Sequence, residues 1–427
     1  MAEFLFPRFM EGTLREALLD TPAVLIHGSR QCGKTTLAQS VGNSLGYHYI
    51  TFDDVNQLNA AKLDPIGFVQ SLPDKVILDE VQRTPELFTA IKASIDADRQ
   101  PGRFMLTGSA NVMLLPKLAD SLAERIEIIP LRPLAGAEVN AGGPSHEKPS
   151  FLMQLFCGSL GQSVNQGSYA RLGESLAEIV CQGGYPAAIA RTSAKRRTSW
   201  YRDYITTIIQ RDIQDIASIR NLDILPRLLE LAATQTARLF NAADLASPFS
   251  ISRPTIREYL TLLEQIFLLE QLQPWHSNRL SRLIKTPKMH LTDTGLICSL
   301  MGVNAQSLWQ DKALLGQVLE TYIYQELRKH ADWHDEELKF YHFRNKDKVE
   351  VDIIIEQGQQ LVGVEIKAAA TVLPSDFKGL KKLQAACGDR FVAGVLFYDG
   401  DNILPFGHQL FAVPISVFTS GKLAGSV

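Results

Sequence analysis

Short, largely apolar runs alternate with amphipathic stretches over residues 20–137. Ala23–His27, Tyr47–Phe52, Lys75–Leu78, Arg103–Thr107 and Arg125–Ile129 read as strands, and Gly33–Leu45 and Pro85–Asp96 as helices. Runs of this kind that alternate with helices predict a parallel sheet buried on both faces. Loop-forming residues follow, Gly, Ser and Pro in Asn140–Pro149 and Gly, Ser, Gln and Asn in Gly158–Gly167. From Leu172 to Ala237 the pattern is mostly helical, with a break at Gly183-Gly184-Tyr185-Pro186.

Two helical runs, Asn241–Ala246 and Arg253–Glu264, are joined by a short turn, and two strand-like runs follow. The last part predicts a helix at Leu314–Lys329 and strands at Lys339–Phe343, Val349–Glu356 and Gln360–Lys367. A helix near Lys378–Ala386 and a strand at Phe391–Tyr398 complete it. These shifts divide the chain into four expected domains: 1–138, 139–237, 238–300 and 301–427.

Composition narrows the class. Net charge is −3 in 427 residues, so the chain is no polycation, and any contact with nucleic acid must come from local patches. The five cysteines are scattered without a C-x-x-C pair, which argues against a zinc site or a disulfide framework. No apolar run approaches the ~20 residues that span a bilayer. With no signal-peptide pattern at the start, the expectation is a soluble cytoplasmic protein without a membrane partner.

Gly28-Ser29-Arg30-Gln31-Cys32-Gly33-Lys34-Thr35 has the spacing G-x-x-x-x-G-K-[ST], between an expected strand and an expected helix. Glycines let backbone N–H groups face phosphates, and the helix aims its positive end at the same anion. Lys34 would reach the β- and γ-phosphates of ATP, and the Thr35 hydroxyl, with Thr36 beside it, would lie at the Mg2+. Val76-Ile77-Leu78-Asp79-Glu80 is the expected partner, with Asp79 toward the metal and Glu80 polarising the attacking water. Thr107 or Ser109, at the end of another strand, would sense the γ-phosphate or cap the next helix.

The order P-loop, Asp-Glu strand, Thr107-Gly108-Ser109 and Ser121-Leu122-Ala123-Glu124-Arg125 resembles an AAA+ ATPase. More narrowly, it resembles the bacterial and archaeal AAA+ family whose C-terminal half is a domain of unknown function with a nuclease-like fold. Gly183-Gly184-Tyr185-Pro186, Arg211-Asp212-Ile213, Pro287-Lys288 and Asp293-Thr294-Gly295 are similar to further landmarks of that family. The resemblance implies a homo-oligomer or an ATP-dependent assembly, with Arg125 as an arginine finger. Glu124 stands where the family usually has glycine.

Two further groups carry chemistry. The paired helices at 241–264, with Ser252 as N-cap, form a helix-turn-helix signature. Arg253 and Arg257 open its second helix, and Arg279, Arg282, Lys285 and Lys288 follow in a run without acids, as in a basic wing on DNA phosphates. Farther on, Glu320, Asp352 and Glu365 would hold Mg2+, with Lys367 beside a water and Glu350 as an alternative ligand. Their order along helix and strands resembles the PD-(D/E)xK nuclease fold. The expected class is α/β: a P-loop AAA+ module, a helical plus winged-helix middle, and a PD-(D/E)xK-like C-terminal domain. Its expected function is ATP-driven action on DNA, with cleavage as a further activity. The alternative is an ATP-driven switch whose silent C-terminal domains bind a protein partner.

Overall fold

A computed structural model of the chain describes residues 6–109, 125–141, 151–164, 169–216, 223–276, 286–334, 336–345 and 349–419. The first sheet is five-stranded and parallel, in the order β2-β3-β4-β1-β5. Its strands are β1 Ala23–His27, β2 His48–Thr51, β3 Val76–Asp79, β4 Phe104–Gly108 and β5 Ile126–Pro130. Period-2 alternation gives the sheet two apolar faces. Val24, Ile26, Ile77 and Met105 pack toward helices Met10–Asp20 and Lys34–Leu45. Ala23, Leu25, Leu78 and Leu106 pack toward helices Val55–Leu63, Pro65–Gln70 and Leu87–Ala97. The expected strand Tyr47–Phe52 shortens to four residues, partly exposed, because β2 is the sheet edge.

The expected helical stretch resolves into Glu174–Gln182, Pro186–Ile189, Ala194–Ile216 and Ile224–Thr234. The elements not expected include helix Met10–Asp20, helix Ala305–Gln310, strands Leu404–Gly407 and Leu410–Pro414, and two near residue 155. Helix Phe151–Phe156 packs Phe151 on Phe397 and Phe418, and a 3-10 turn spans Ser159–Ser163 inside the run read as loop. Helices Ala242–Ala246 and Arg253–Gln265 are followed by a hairpin of β7 Leu269–Pro274 and β8 Lys288–Leu291. Ser252 Oγ accepts from Thr255 N at 3.3 Å as the N-cap of the second helix, with Pro254 in its first turn.

The second sheet has nine strands in the order β13-β14-β12-β11-β10-β9-β7-β8-β6. Its other members are β6 Arg238–Leu239, β9 Lys339–Arg344, β10 Glu350–Gln357, β11 Gln360–Lys367, β12 Phe391–Tyr398, β13 Leu404–Gly407 and β14 Leu410–Pro414. The hairpin enters this sheet through a short parallel seam, Gln273 with Tyr341 and Pro274 with His342. Helix Lys312–Asp332 covers one face, and helix Lys378–Cys387 covers the other. One apolar cluster runs from Phe151 to Phe418, through the helices, the hairpin and the C-terminal sheet. Just past helix Lys312–Asp332, Trp333 leaves that cluster and inserts beside Phe9 in the core of the first sheet, ring centroids 5.1 Å apart.

Candidate functional site

The loop after β1 is shaped by close contacts. A side chain at Gly28 would put a Cβ 2.0 Å from the Leu131 carbonyl oxygen, so only glycine fits there. Gly33 has φ +106° at the N-cap of helix Lys34–Leu45, a left-handed conformation that favours glycine. Arg8 fastens the loop from outside, donating to Cys32 O at 2.6 Å and Arg132 O at 2.7 Å. Tyr204, on helix Ala194–Ile216, donates to Arg30 O at 3.0 Å. Gln31 and Thr36 are exposed, and Cys32 is buried.

Lys34 is the unusual member. It is 5% exposed, and its Nζ donates to Gly28 O at 3.0 Å and Ser29 O at 2.9 Å. Both partners are neutral carbonyls. A buried cation without a counter-charge is costly, and a bound anion relieves that cost. Opposite it, Thr35 Oγ1 donates to Asp79 Oδ1 at 3.0 Å. These residues therefore fit a magnesium nucleotide: Lys34 and the loop N–H groups for the phosphates, Thr35 and Asp79 for the metal.

The carboxylates at the end of β3 are held by Thr107 and Ser109 and by two residues that the sequence reading passed over, Tyr49 and Gln82. Tyr49 OH donates to Asp79 Oδ2 at 2.7 Å, and Thr107 Oγ1 donates to Asp79 Oδ1. Burial and the Asp79 contact push the Tyr49 phenol well above its ordinary value, so it stays a donor. Glu80 has φ +58°, and its carboxylate accepts from the Gln82 amide and from Ser109 Oγ at 3.1 Å. Thr107 and Ser109, expected to sense phosphate or cap a helix, are thus directed at the acid pair. Parity along β2 would have pointed to Tyr49. Nothing local in the sequence points to Gln82.

Arg125 lies just before β5, half-buried, and pairs with Asp96 at 2.5 Å. Residues 121–124, which precede it in the motif, lie outside the described residues.

Beyond the loop, the first sheet is bolted to the rest of the chain. Arg132, just past β5, donates to Glu270 on β7 at 2.5 Å and to Asp332 at 2.8 Å. Burial alone would drive these groups neutral, but the arginine holds Glu270 down at about 2. The pairs border a cavity of about 510 Å3 lined in part by His27, Gly28, Ser29, Arg132, Glu270 and Arg328. His27 is pushed down to about 4, by burial first and then by Arg132 and Lys34. It is therefore neutral at ordinary pH. The Gly183-Gly184-Tyr185-Pro186 and Asp293-Thr294-Gly295 motifs meet nearby. Asp293 accepts from Gly184 N at 2.6 Å and Tyr201 OH at 2.9 Å, and Gly184 O accepts from Leu134 N at 2.7 Å.

The C-terminal carboxylates do converge. Asp352 lies at an irregularity in the β9–β10 register, and the pairing of Ile353 with Val364 sets it across from Glu365. Its Oδ2 accepts from Ile366 N at 3.0 Å. Two expectations are corrected here. Lys288, read as part of a basic wing, is 5% exposed and pairs with Glu320 at 2.6 Å and Asp352 at 3.4 Å. Its place on a buried strand between β6 and β7 puts it inside the protein, away from any phosphate backbone. Lys367, read as poised beside an attacking water, pairs with Asp376.

Burial pushes Glu320 up to about 8 and Glu365 well above the carboxylate range, with Asp352 adding to both. The Lys288 ammonium is held above its ordinary value by Glu320 and Asp352, against the pull of burial. The centre thus already contains its cation. Among the described residues no group of three or more His, Cys, Asp or Glu has a geometry suited to a metal ion. The cluster does not fit the expected Mg2+. Glu350 instead pairs with Arg344 at 2.9 Å. Arg253 and Arg257 are exposed on the second helix of the pair, while Arg279, Arg282 and Lys285 lie outside the described residues. No described helix is long and apolar enough to cross a membrane.

Residues 20–140 match a family described as an AAA domain. Residues 173–307 and 315–418 match two families described as domains of unknown function, DUF8612 and DUF4143. Two uncharacterized proteins, from Mycobacterium bovis and Mycobacterium tuberculosis, are each 28% identical over 96% of this chain and 84% of their own length. Among solved structures, a Walker-type ATPase of Pyrococcus abyssi is 14% identical, with TM-score 0.44, over 70% of this chain and 97% of that one. The RuvB Holliday junction branch migration motor of Thermotoga maritima is 17% identical, with TM-score 0.28, over 62% of this chain and 85% of that one. Scores at that level carry no argument about activity. With its phosphate loop and acid pair in place, the segment 20–140 is an AAA-type P-loop ATPase domain, followed by two segments that match domains of unknown function.

Proposed function

We propose that the chain is an ATP-driven switch whose C-terminal half, winged-helix-like and nuclease-like in layout, binds a protein partner without cleaving nucleic acid. One observation carries this reading. The Arg132 bridge to Glu270 and Asp332 borders the same cavity as Gly28 and Ser29, so a change at the phosphate loop reaches the hairpin and the C-terminal helix directly.

In this scheme Lys34 exchanges its two carbonyl partners for phosphate oxygens. Bound Mg2+ supplies charge neutralisation on those oxygens, and Thr35 and Asp79 hold it. Tyr49 and Thr107 fix the Asp79 carboxylate, and Glu80 accepts a proton from the attacking water once it leaves Gln82 and Ser109. Release of the Gly28 and Ser29 carbonyls loosens the Tyr204 and Arg132 contacts, and the movement passes to β7. A neighbouring copy of the chain supplies Arg125 in an ATP-dependent assembly.

A second reading, DNA as the partner, is favoured by Arg253 and Arg257. They are exposed one turn apart in the first two turns of a helix capped by Ser252. Metal-dependent cleavage finds no support at Asp352, because Lys288 already neutralises that cluster.

The test uses full-length protein. Lys34→Ala should lose ATP binding, and Glu80→Gln should bind ATP without releasing phosphate. With ATP, Glu80→Gln should change deuterium uptake in residues 268–274 and 328–333. Phosphate release retained by both variants would overturn the ATPase roles. Uptake unchanged in those segments would overturn the switch. Nicking of DNA in Mg2+ or Mn2+ that Asp352→Ala abolishes would restore the cleavage reading.

A further inference from the structure

We propose that Cys181 and Cys298 are a peroxide-sensitive dithiol, which closes to a disulfide between helices Glu174–Gln182 and Thr294–Leu300, beside the junction with the ATPase domain. Their sulfurs are 3.4 Å apart. A disulfide needs about 2.05 Å, so the two atoms must close by little more than an ångström. Both thiols are free in this structure.

The two residues differ in a way that suits such chemistry. Cys181, at the end of helix Glu174–Gln182, is partly exposed, and Cys298, within helix Thr294–Leu300, is buried. Their contact and the Arg197 cation pull the Cys181 thiol below its ordinary value, whereas the contact and burial push Cys298 up. A thiolate at a cationic, accessible position is the form that attacks a peroxide. The buried partner is placed to resolve the product.

The steps balance. The Cys181 thiolate attacks one peroxide oxygen, the O–O bond breaks, and the departing alkoxide or hydroxide takes up a proton. Cys181 is now a sulfenic acid. The Cys298 sulfur then attacks the Cys181 sulfur. The S–S bond forms as the S–O bond breaks, and water leaves with the Cys298 proton. Two thiols are oxidised, and one peroxide is reduced to an alcohol or water plus water.

Position gives the bond its consequence. Cys181 is two residues from Gly183, and Gln182 O accepts from Tyr201 OH at 3.1 Å. Cys298 lies on the helix that Asp293 caps, and Asp293 also holds the Gly184 N–H. Gly184 in turn holds Leu134, in the segment that leaves the first sheet. A disulfide would tie together the two helices whose ends hold Gly184 against this segment. Cys32, Cys157 and Cys387 have no sulfur neighbour among the described contacts, and exposed Cys157 serves as an internal reference.

The experiment treats full-length reduced protein with hydrogen peroxide, alkylates it, and maps peptides without reductant. The expected result is a linked 181–298 peptide pair, formed at least ten times faster than Cys157 oxidises and reversed by dithiothreitol. In Cys298→Ser, Cys181 should stall as a sulfenic acid that dimedone traps. Oxidation of the parent should slow deuterium uptake at Gly183 and Gly184 at least tenfold. Full alkylation of Cys181 and Cys298 while Cys157 is oxidised would overturn the proposal, and so would linkage no faster than Cys157 oxidation. The parent protein alone decides this, so a folding defect in the serine variant leaves the test intact.

Discussion

Replacing Lys288 with methionine isolates the charge at the centre of the C-terminal cluster. The unbranched side chain keeps most of the apolar stem and removes the ammonium. In the parent, that ammonium is 2.6 Å from Glu320 and 3.4 Å from Asp352, in a site where the three side chains are 6% to 16% exposed. Removing one partner of a buried pair costs about 3–5 kcal/mol. Two features bring the expected loss toward the lower end. Glu320, already at about 8 with the lysine present, keeps its proton at pH 7 and so leaves no second orphaned charge. Asp352 retains the Ile366 N–H. We expect Lys288→Met to lose about 3 kcal/mol at pH 7, with a larger loss at pH 9 as Glu320 ionises. Urea unfolding followed by tryptophan fluorescence measures this from the midpoint at constant slope. A loss below about 0.5 kcal/mol would refute the assignment of Lys288 as the internal counter-ion. If stability were kept while DNA affinity fell, the basic-wing reading would replace it.

Four further outcomes follow from the site. Glu320 has a folded value, about 8, above its ordinary 4.5, so its contribution to stability is full below 4.5 and is lost as pH rises to about 8. Glu320→Gln should flatten that fall by up to about 1.4 kcal/mol per pH unit in a pH series of urea midpoints, and an unchanged profile would contradict it. Tyr49→Phe should bind ATP normally and hydrolyse about fivefold more slowly, the size of one lost hydrogen bond on Asp79, as single-turnover rates would show. Arg125→Ala should keep ATP affinity and lose a factor of about 10³ or more in turnover if a neighbouring copy uses this arginine, and mixing with Lys34→Ala protein should restore part of it. If Arg253 and Arg257 both touch phosphates, changing both to alanine should flatten the plot of log DNA affinity against log salt by about 1.8, whereas an unchanged slope would remove them from the interface.

The ATPase domain was legible because its signals are local. The glycine spacing around Lys34 and the apolar run ending in Asp79 each lie within one strand–loop–helix unit, where backbone rules act directly. The C-terminal carboxylates were legible for the same reason, since period-2 alternation fixes which residues share a strand face. Lys288 was misread because a run of basic residues along the chain carries no information about burial. Its side chain turns inward only because β8 is flanked by β6 and β7 in a sheet completed by residues over a hundred positions apart. The seam between β7 and β9, the Arg132 bridge and the pairing of Lys367 with Asp376 are likewise products of tertiary assembly. Tyr204 and Arg8 reach the phosphate loop from segments remote in sequence, and no motif in either announces it.

Trp333 gives the order of synthesis a physical meaning. The first sheet and its helices are complete by residue 140, yet one face of their core holds an indole encoded about 190 residues later. At about 5–20 residues per second, the nascent domain waits roughly 10–40 s for that side chain to emerge. During the wait, Phe9 and its neighbours border a hole the size of an indole, the kind of defect that costs about 3–5 kcal/mol when made by truncation to alanine. The growing ATPase domain is thus an open shell on the ribosome, closed only when the C-terminal helix arrives. A stalled or shortened chain would expose that shell to chaperones and proteases.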